Sequence, residues 1–130
     1  MILAKKVRIK PTPDQEQALW RSAGAARWVY NWTLARQEEN YRNGGKFIPG
    51  GELRKELTKL KQTEEYAWLN DISAQTTKQA VKDACDAYKK MFKGQSGKPK
   101  FKSRKHSKPA FYSRYDRFKA DGNKVYLEKI

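Results

Sequence analysis

Alternation and helical spacing divide the first third of the chain into a strand and a long helix. Apolar and basic residues alternate in "ILAKKVRIK" (2–10), which is typical of a half-buried strand with a basic outer face. The following "PTPDQEQ" predicts a helix start, with Thr12 as N-cap, Pro13 at the first position and Gln15 completing a capping box. Apolar residues then recur at helical spacing, and "NGG" ends the helix near Asn43.

The middle of the chain predicts further helical segments. "PGG" at 49–51 indicates a turn, and the next helix carries leucines on one stripe. "EEYAWLNDI" gives another turn or so with apolar anchors, and Ser73 is expected to cap a last helix over about 74–93. The predicted anchors are Leu53, Leu57, Leu60, Trp68, Leu69 and Ile72, and the predicted apolar face of the last helix is Val81, Ala84, Cys85, Tyr88, Met91 and Phe92.

Glycine, proline and lysine dominate the sequence after Phe92, which argues against another helix. Residues 94–109 are interpreted as a basic flexible arm, followed by a strand over roughly 111–119, a "DGN" turn and a return strand. The predicted fold class is therefore α+β, because an isolated N-terminal strand needs partners and the C-terminal strands are the available ones. Residues 1–10 with 110–130 would form a small antiparallel sheet or partial barrel, and 11–93 a helix-turn-helix-like lobe inserted into it.

The charge of the chain points to a polyanionic partner. The formal net charge is +15, from 29 Lys and Arg against 14 Asp and Glu, and this excess repels itself unless phosphates neutralise it. Nucleic acid is therefore the first hypothesis, and a merely basic protein without such a partner is the alternative.

Few other functional classes fit the composition. A single cysteine, Cys85, excludes a disulfide framework or a cysteine-based zinc site, and the only histidine, His106, has lysine and arginine neighbours. No cofactor and no metal are therefore expected. No apolar run approaches the length of a membrane span, so a soluble, cytoplasmic protein is expected. Familiar catalytic motifs and converging carboxylates are missing, so no catalytic residue is assigned.

Two helical regions supply candidate ligands of nucleic acid. In "GAARWVYNW" (24–32) the spacing assigns Trp28, Val29 and Trp32 to the core, whereas the side chains on other faces are either solvated or contact phosphates and bases. The first half of the last helix is rich in Gln, Thr and Lys, and is either a groove-reading surface or an ordinary solvated face. The candidates are Arg27, Tyr30, Asn31, Gln75, Lys78 and Lys82.

Basic residues on the strand and the arm complete the candidate site. Alternate lysines of the arm would point the same way in an extended chain, at a spacing close to that of successive phosphates, although a solubilising linker has the same composition. The candidates are Lys6, Arg8 and Lys10 on the strand, and Lys98, Lys100, Lys102, Arg104, Lys105 and Lys108 on the arm.

Taken together, several motifs resemble the N-terminal part of the TnpB (OrfB) family of transposon-encoded proteins. They are PTPxQ, WVYNW, ELxxLK, "AYKKMF" and GxPxFKxR, and the resemblance extends over essentially all 130 residues. It implies a wedge-like β-barrel interrupted by a helical recognition lobe, which together hold a guide RNA and help to read a short motif in duplex DNA. In this family cleavage is performed by a RuvC-like domain and a zinc ribbon, whose motifs are absent from this sequence.

The resemblance therefore implies a nucleic-acid-binding portion of an RNA-guided DNA endonuclease that binds guide RNA and target DNA without cutting. Two rival hypotheses are a stand-alone DNA-binding transposon accessory protein or regulator, and an enzyme with an unrecognised site. A barrel limited to these strands would keep an exposed edge, so self-association is a further expectation.

Overall fold

Helices make up most of the described chain. The computed structural model describes residues 4, 6–105, 107–113, 118–121, 124–127 and 129–130. The elements are helices α1 (Pro13–Arg42), α2 (Gly50–Lys61) and α3 (Ala74–Phe92), a 3₁₀ helix (Ala67–Asp71), and strands β1 (Phe118–Asp121) and β2 (Lys124–Leu127). No helix in this part of the chain has the length and apolar character that a membrane span requires.

The start of α1 confirms the predicted capping box. The amide of Gln15 donates to the Thr12 hydroxyl at 3.3 Å, and the Thr12 amide donates to the Gln15 side-chain carbonyl at 2.9 Å. Two amide groups that the first turn would leave without partners are thus satisfied. The helix then continues for 30 residues to Arg42. Gly44 follows with φ +81°, a left-handed conformation that glycine adopts without steric cost, and this explains the end at "NGG".

The starts of α2 and α3 differ in detail from the predictions. The predicted turn at "PGG" is wrong beyond Pro49, because Gly50 and Gly51 are already helical and the Pro49 carbonyl accepts from the Leu53 amide at 3.2 Å. Proline fixes φ near the value that a chain needs when it enters a helix, so Pro49 starts α2 where the pattern indicated a turn. Ser73 occupies the predicted N-cap position of α3, but its side chain does not cap the helix.

The core lies between α1, α2, the 3₁₀ helix and α3. Val29, Leu53, Leu69 and Val81 are fully buried in one cluster, while Leu34, Ala84 and Tyr88 form a second cluster between α1 and α3. Trp28 and Trp32 are partly buried against the first cluster, as their spacing predicted. Phe92 was predicted as core but is 61% exposed, because it lies at the end of α3, beyond the last buried position of that helix.

The predicted α+β fold class is wrong, because the described chain is a helical domain without a wider sheet or barrel. Residues 6–10 form no strand, and Val7 and Ile9 are 66% and 45% exposed. Alternation indicates a strand only where one face is buried, and here neither apolar side chain has a buried position. The helices are therefore not inserted into a sheet.

The strands that the structure describes form a two-stranded antiparallel hairpin, with Phe118 opposite Leu127 and Asp121 opposite Lys124. Residues 2, 3 and 5 of the predicted N-terminal strand lie outside the described residues. So do 106, residues 114–117 of the predicted first hairpin strand, and 122–123 in the turn. Self-association through a sheet edge stays a prediction.

Candidate nucleic-acid interface

A groove of about 310 Å³ lies where the arm crosses α1 and α3. The two helices run in the same direction, since Ala26 lines this groove with Ala80, whereas Leu34 contacts Tyr88 further along both helices. Polar side chains from three segments therefore meet at one place. The groove is lined by Ala23, Ala26, Arg27, Tyr30, Thr76, Gln79, Ala80, Asp83, Lys102, Ser107, Lys108, Pro109, Ala110, Phe111 and Tyr112.

The arm is attached to α1 by the side-chain amide of Asn31. The Asn31 amide nitrogen donates to the Lys102 carbonyl at 2.8 Å, and the Lys102 amide donates to the Asn31 Oδ1 at 2.8 Å. The side chain thus pairs with the arm backbone as a neighbouring strand would. Because both hydrogen bonds involve one residue of the arm, Asn31 fixes the position and the orientation of Lys102.

The Lys102 side chain also contacts α1 through an aromatic ring. Its Nζ lies 4.3 Å from the ring centroid of Tyr30, a cation–π geometry. Burial, and then the negative charge of Asp83, raise the pKa of the Tyr30 phenol. The phenol therefore stays protonated at neutral pH and can donate a hydrogen bond to a phosphate or a base.

Two further contacts define the path of the arm. Lys98 Nζ lies 3.5 Å from Glu38 Oε1, and the Thr76 hydroxyl donates to the carbonyl of Tyr112 at 2.8 Å. The arm thus runs antiparallel to α1, from Glu38 past Asn31 towards the start of α3. Four extended residues span at most ~13 Å, which is enough to cover the ~10 Å that seven residues of helix span.

A turn follows the attachment point at Lys102. The Ser103 amide donates to the Ser107 hydroxyl at 3.0 Å, and the Ser107 amide donates to the Ser103 carbonyl at 2.9 Å. This turn reverses the chain before Lys108, which then lines the groove. The hydrogen bonds between Ser103 and Ser107 thus help to bring Lys102 and Lys108 to the same groove, although these lysines are six positions apart in the sequence.

Four of the predicted site residues line the groove and a fifth holds it together. Arg27, Tyr30, Lys102 and Lys108 line it, and Asn31 binds the arm. The remaining candidates lie elsewhere. Lys82 is ion-paired with Asp86 at 2.9 Å, Gln75 is half-buried and Lys78 is exposed on α3. The other exposed candidates are Lys6, Arg8, Lys10, Lys98, Lys100, Arg104 and Lys105.

The groove also contains residues that are not among the predicted site residues. Asp83 contributes a carboxylate to the groove, and the side-chain amide of Gln79 donates to this carboxylate at 2.8 Å. An acid does not fit a site predicted from basic residues, but Gln79 and Asp83 are four helical positions apart, a spacing at which side chains interact. Thr76 is 2% exposed and its hydroxyl donates to the carbonyl of Tyr112, just after the arm, so packing there buries a threonine that the pattern placed on a polar face.

Three of the groove side chains are cationic and one is anionic. The ion pairs among the described residues do not include Arg27, Lys102 or Lys108, so their charges remain available to an anion. In the same part of the chain, no group of three or more His, Cys, Asp or Glu side chains could hold a metal ion. Chemically, the groove is suited to binding phosphate, with Gln79 and Tyr30 able to hydrogen-bond to polar edges.

Comparison with known proteins gives matches along most of the chain. Residues 1–46 match HTH_OrfB_IS605, a helix-turn-helix domain. Over 127 residues the chain is 35% identical to "Putative RNA-guided DNA endonuclease InsQ" of Escherichia coli (strain K12), covering 98% of this chain and 32% of that protein. It is 33% identical over 105 residues to "Putative RNA-guided DNA endonuclease" of Streptomyces pristinaespiralis, covering 81% of this chain and 26% of the relative.

A third relative has a length close to that of this chain. The chain is 33% identical over 117 residues to "Virulence protein VsdF" of Salmonella dublin, covering 83% of this chain and 98% of VsdF. By contrast, the chain spans a third or less of the two endonucleases. Within residues 1–46 the described part has one helix, α1, and the helix that packs beside it, α3, lies outside the matched segment.

Proposed function

The chain belongs to the TnpB/OrfB family of transposon-encoded proteins, and on that basis we propose that its helical domain binds nucleic acid through the groove between α1, α3 and the arm. The partners are duplex DNA and a guide RNA, and the domain binds them without cutting. The observation that carries this proposal is the pairing of Asn31 with the Lys102 backbone. That pairing places a cation of the arm at the same groove as Arg27.

Charge and preorganisation support the assignment. Phosphate contacts supply most of the affinity of proteins for nucleic acid, and they require cations that are not already neutralised. Arg27, Lys102 and Lys108 meet this condition at one groove of a chain with net charge +15. A segment already attached to the helices loses less conformational freedom on binding than a free one.

Salt dependence of binding tests the proposal. If about six phosphates are neutralised, log K for duplex DNA should fall against log salt with a slope near −5, and less steeply for single strands. We expect the double variant Lys102→Gln/Lys108→Gln to lower the slope by about one for each lysine. Fluorescence anisotropy with labelled duplex DNA and structured RNA measures both effects.

The matched control removes the same charge from another surface. Lys55→Gln/Lys59→Gln alters two exposed lysines of α2, which does not line the groove. We expect this control to keep nearly the wild-type slope. Equal losses in the two double variants would mean that only net charge matters and would overturn the groove as the binding surface.

A stand-alone DNA-binding protein is the second candidate function. The match that covers 98% of VsdF favours it, since that relative is close to this chain in length. Competition separates the two functions: a guide-binding domain should release labelled duplex when structured RNA is added, whereas a DNA-specific regulator should retain it. Metal-dependent cleavage of either nucleic acid by the purified chain would contradict binding without cutting.

A further inference from the structure

A second cavity, of about 350 Å³, lies at the opposite end of α1 and α3 from the groove. It is formed by the end of α1, the loop before α2, the last turns of α3 and the first residues of the arm. Its volume is at the lower end of the range that small ligands occupy in proteins. We refer to it as the aromatic pocket, and it is lined by Gln37, Glu38, Asn40, Tyr41, Gly45, Lys46, Phe47, Tyr88, Met91, Phe92 and Lys98.

Three aromatic rings build one wall of the aromatic pocket. Phe47 and Phe92 meet edge to face with ring centroids 5.6 Å apart, and Tyr88 lies 6.3 Å from Phe47 and 6.2 Å from Phe92. These contacts hold the Phe92 ring in place although it is 61% exposed. A ring that is fixed by its neighbours and open to solvent is a surface on which another planar group can stack.

The loop that closes the aromatic pocket is itself held by side chains of α1. The side-chain nitrogen of Gln37, Nε2, donates to the Ile48 carbonyl at 2.7 Å. The backbone amide of Ile48 donates to the side-chain oxygen of Gln37, Oε1, at 3.0 Å. Asn40 donates to the Lys46 carbonyl in the same way. Phe47 lies between Lys46 and Ile48, whose backbone groups are held by these hydrogen bonds. The backbone that carries the ring supporting Phe92 is therefore held in position.

Two lysines and one glutamate lie beside the aromatic wall. Lys46 and Lys98 line the pocket, and the lining acid, Glu38, is ion-paired with Arg42 at 2.8 Å and with Lys98 at 3.5 Å. The ion pairs of the described residues do not include Lys46. A purely apolar partner would gain nothing from this charge, whereas a ligand with a planar ring and a phosphate would use both features.

We propose that the aromatic pocket binds one unpaired nucleotide of a single-stranded segment, with its base stacked on Phe92 and its phosphate near Lys46. The proposal rests on the proposed function, but it names a separate site and a different form of ligand. The arm connects the two sites, because Lys98 lies at the pocket and Lys102 at the groove, ~13 Å apart in an extended chain. A strand leaving a duplex in the groove could therefore follow the arm to the pocket.

The test compares single-stranded and duplex oligonucleotides binding to the full chain. Phe92→Leu keeps an apolar side chain against Phe47 and Tyr88 but removes the stacking surface. We expect single-strand affinity to fall about fivefold or more, with duplex affinity within about twofold of wild type. Phe92→Tyr keeps the ring and should bind like wild type. Circular dichroism and urea unfolding establish that each variant is folded.

A matched control alters an equally exposed aromatic residue elsewhere. Trp20 on α1 is 58% exposed and lines neither the groove nor the aromatic pocket, so Trp20→Leu should leave single-strand affinity unchanged. A photo-crosslinking oligonucleotide containing 5-iodouracil should attach at Phe92 or Tyr41, and mass spectrometry locates the attachment.

Each outcome separates this inference from the proposed function. If Phe92→Leu lowers single-strand and duplex affinity equally, or lowers neither, the nucleotide site is wrong while the groove can still be correct. If the wild-type chain binds no nucleic acid at low salt, the proposed function fails as well. A change in oligomeric state caused by Phe92→Leu, without loss of nucleic-acid affinity, would assign the pocket to a second copy of the chain and overturn the proposal.

Discussion

Several polar side chains that the pattern presents as free ligands are used within the chain itself. Asn31 gives both its donor and its acceptor to the backbone of Lys102, and the Lys82 ammonium pairs with Asp86. The hydrogen bond with Asp86 is the main cause that raises the pKa of Lys82. A contact between Lys82 and phosphate would therefore have to replace an interaction that already exists, which makes Lys82 a weaker candidate than Lys102.

Lys61 is the opposite case, a half-buried cation near other cations. Burial lowers the pKa of the Lys61 ammonium, and the positive charges of Lys129 and Lys78 lower it further. Its hydrogen bond is to the Thr77 hydroxyl at 3.3 Å, while that hydroxyl itself donates to the Ala74 carbonyl. Removing the Lys61 ammonium thus leaves Thr77 with a hydrogen-bond partner.

We predict that Lys61→Met stabilises the fold, because methionine keeps the apolar stem and removes the poorly solvated charge. The gain should be about 1 kcal/mol or less, since the amine is partly solvated. A lowered folded-state pKa means that the unfolded chain binds more protons, so wild-type stability rises with pH. The advantage of Lys61→Met should therefore be full at neutral pH and shrink as the pH approaches 10.5, the ordinary lysine pKa.

Urea unfolding at several pH values measures the effect of this substitution. Lys59→Met is the matched control, because Lys59 is exposed in the same last turn of α2 and interacts equally with the helix dipole. We expect the control to be neutral or slightly destabilising. A loss of stability in Lys61→Met at neutral pH would contradict the role assigned to burial and repulsion.

At the scale of elements, α1 depends on its first turn. The leading amide groups of a helix have no internal partners; in α1 Pro13 has no amide hydrogen, and the capping box satisfies the amides of Thr12 and Gln15. We predict that Thr12→Ala lowers the free energy of unfolding by about 1 kcal/mol, since alanine cannot accept from the Gln15 amide. Urea unfolding followed by circular dichroism measures the loss.

A threonine inside a helix provides the control for Thr12. Thr58 in α2 is exposed and its hydroxyl donates back to the Arg54 carbonyl, an arrangement that contributes little to helix stability. Thr58→Ala should be neutral or stabilising, because alanine has the higher helix propensity. If both substitutions cost the same, the loss at Thr12 would reflect the hydroxyl in general rather than the cap.

The elements that could be predicted are helices whose apolar residues recur on one face that the fold buries. α1 has a cap and a periodic apolar stripe, and α3 has a stripe from Val81 to Tyr88 that is buried as predicted. The N-terminal strand had one signal, alternation at Val7 and Ile9, and alternation cannot supply the partner that a strand needs. Phe92 continued the apolar stripe of α3 past the point where α1 covers it, which only the packing could reveal.

For the whole molecule, charge predicted two lysines that line the proposed binding groove, but it did not predict how that groove is built. Lys102 and Lys108 were selected because the arm is basic, and they do line the groove. The hydrogen bonds between Asn31 and Lys102 join residues 71 positions apart. No short-range pattern in the sequence encodes such a contact. The sequence predicts Asn31 as a ligand of nucleic acid, whereas in the structure its side chain attaches the arm.

The attachment of the arm gives the last prediction. Asn31→Ala should free the arm at Lys102 and lower the free energy of unfolding by about 1 kcal/mol, because two exposed hydrogen bonds contribute little net energy. Hydrogen exchange of the Lys102 amide should accelerate while exchange in the helices stays unchanged. Nucleic-acid affinity should fall with an unchanged salt slope, since no charge is removed and only the entropy of ordering the arm is added.

Asn40→Ala is the control for Asn31, because it removes a similar bond from side chain to backbone, at the Lys46 carbonyl. It should leave exchange at Lys102 unchanged. Unaltered protection of the Lys102 amide in Asn31→Ala would mean that other contacts hold the arm. A smaller salt slope in that variant would mean that the released arm does not return to the groove on binding, so that losing the attachment also loses phosphate contacts.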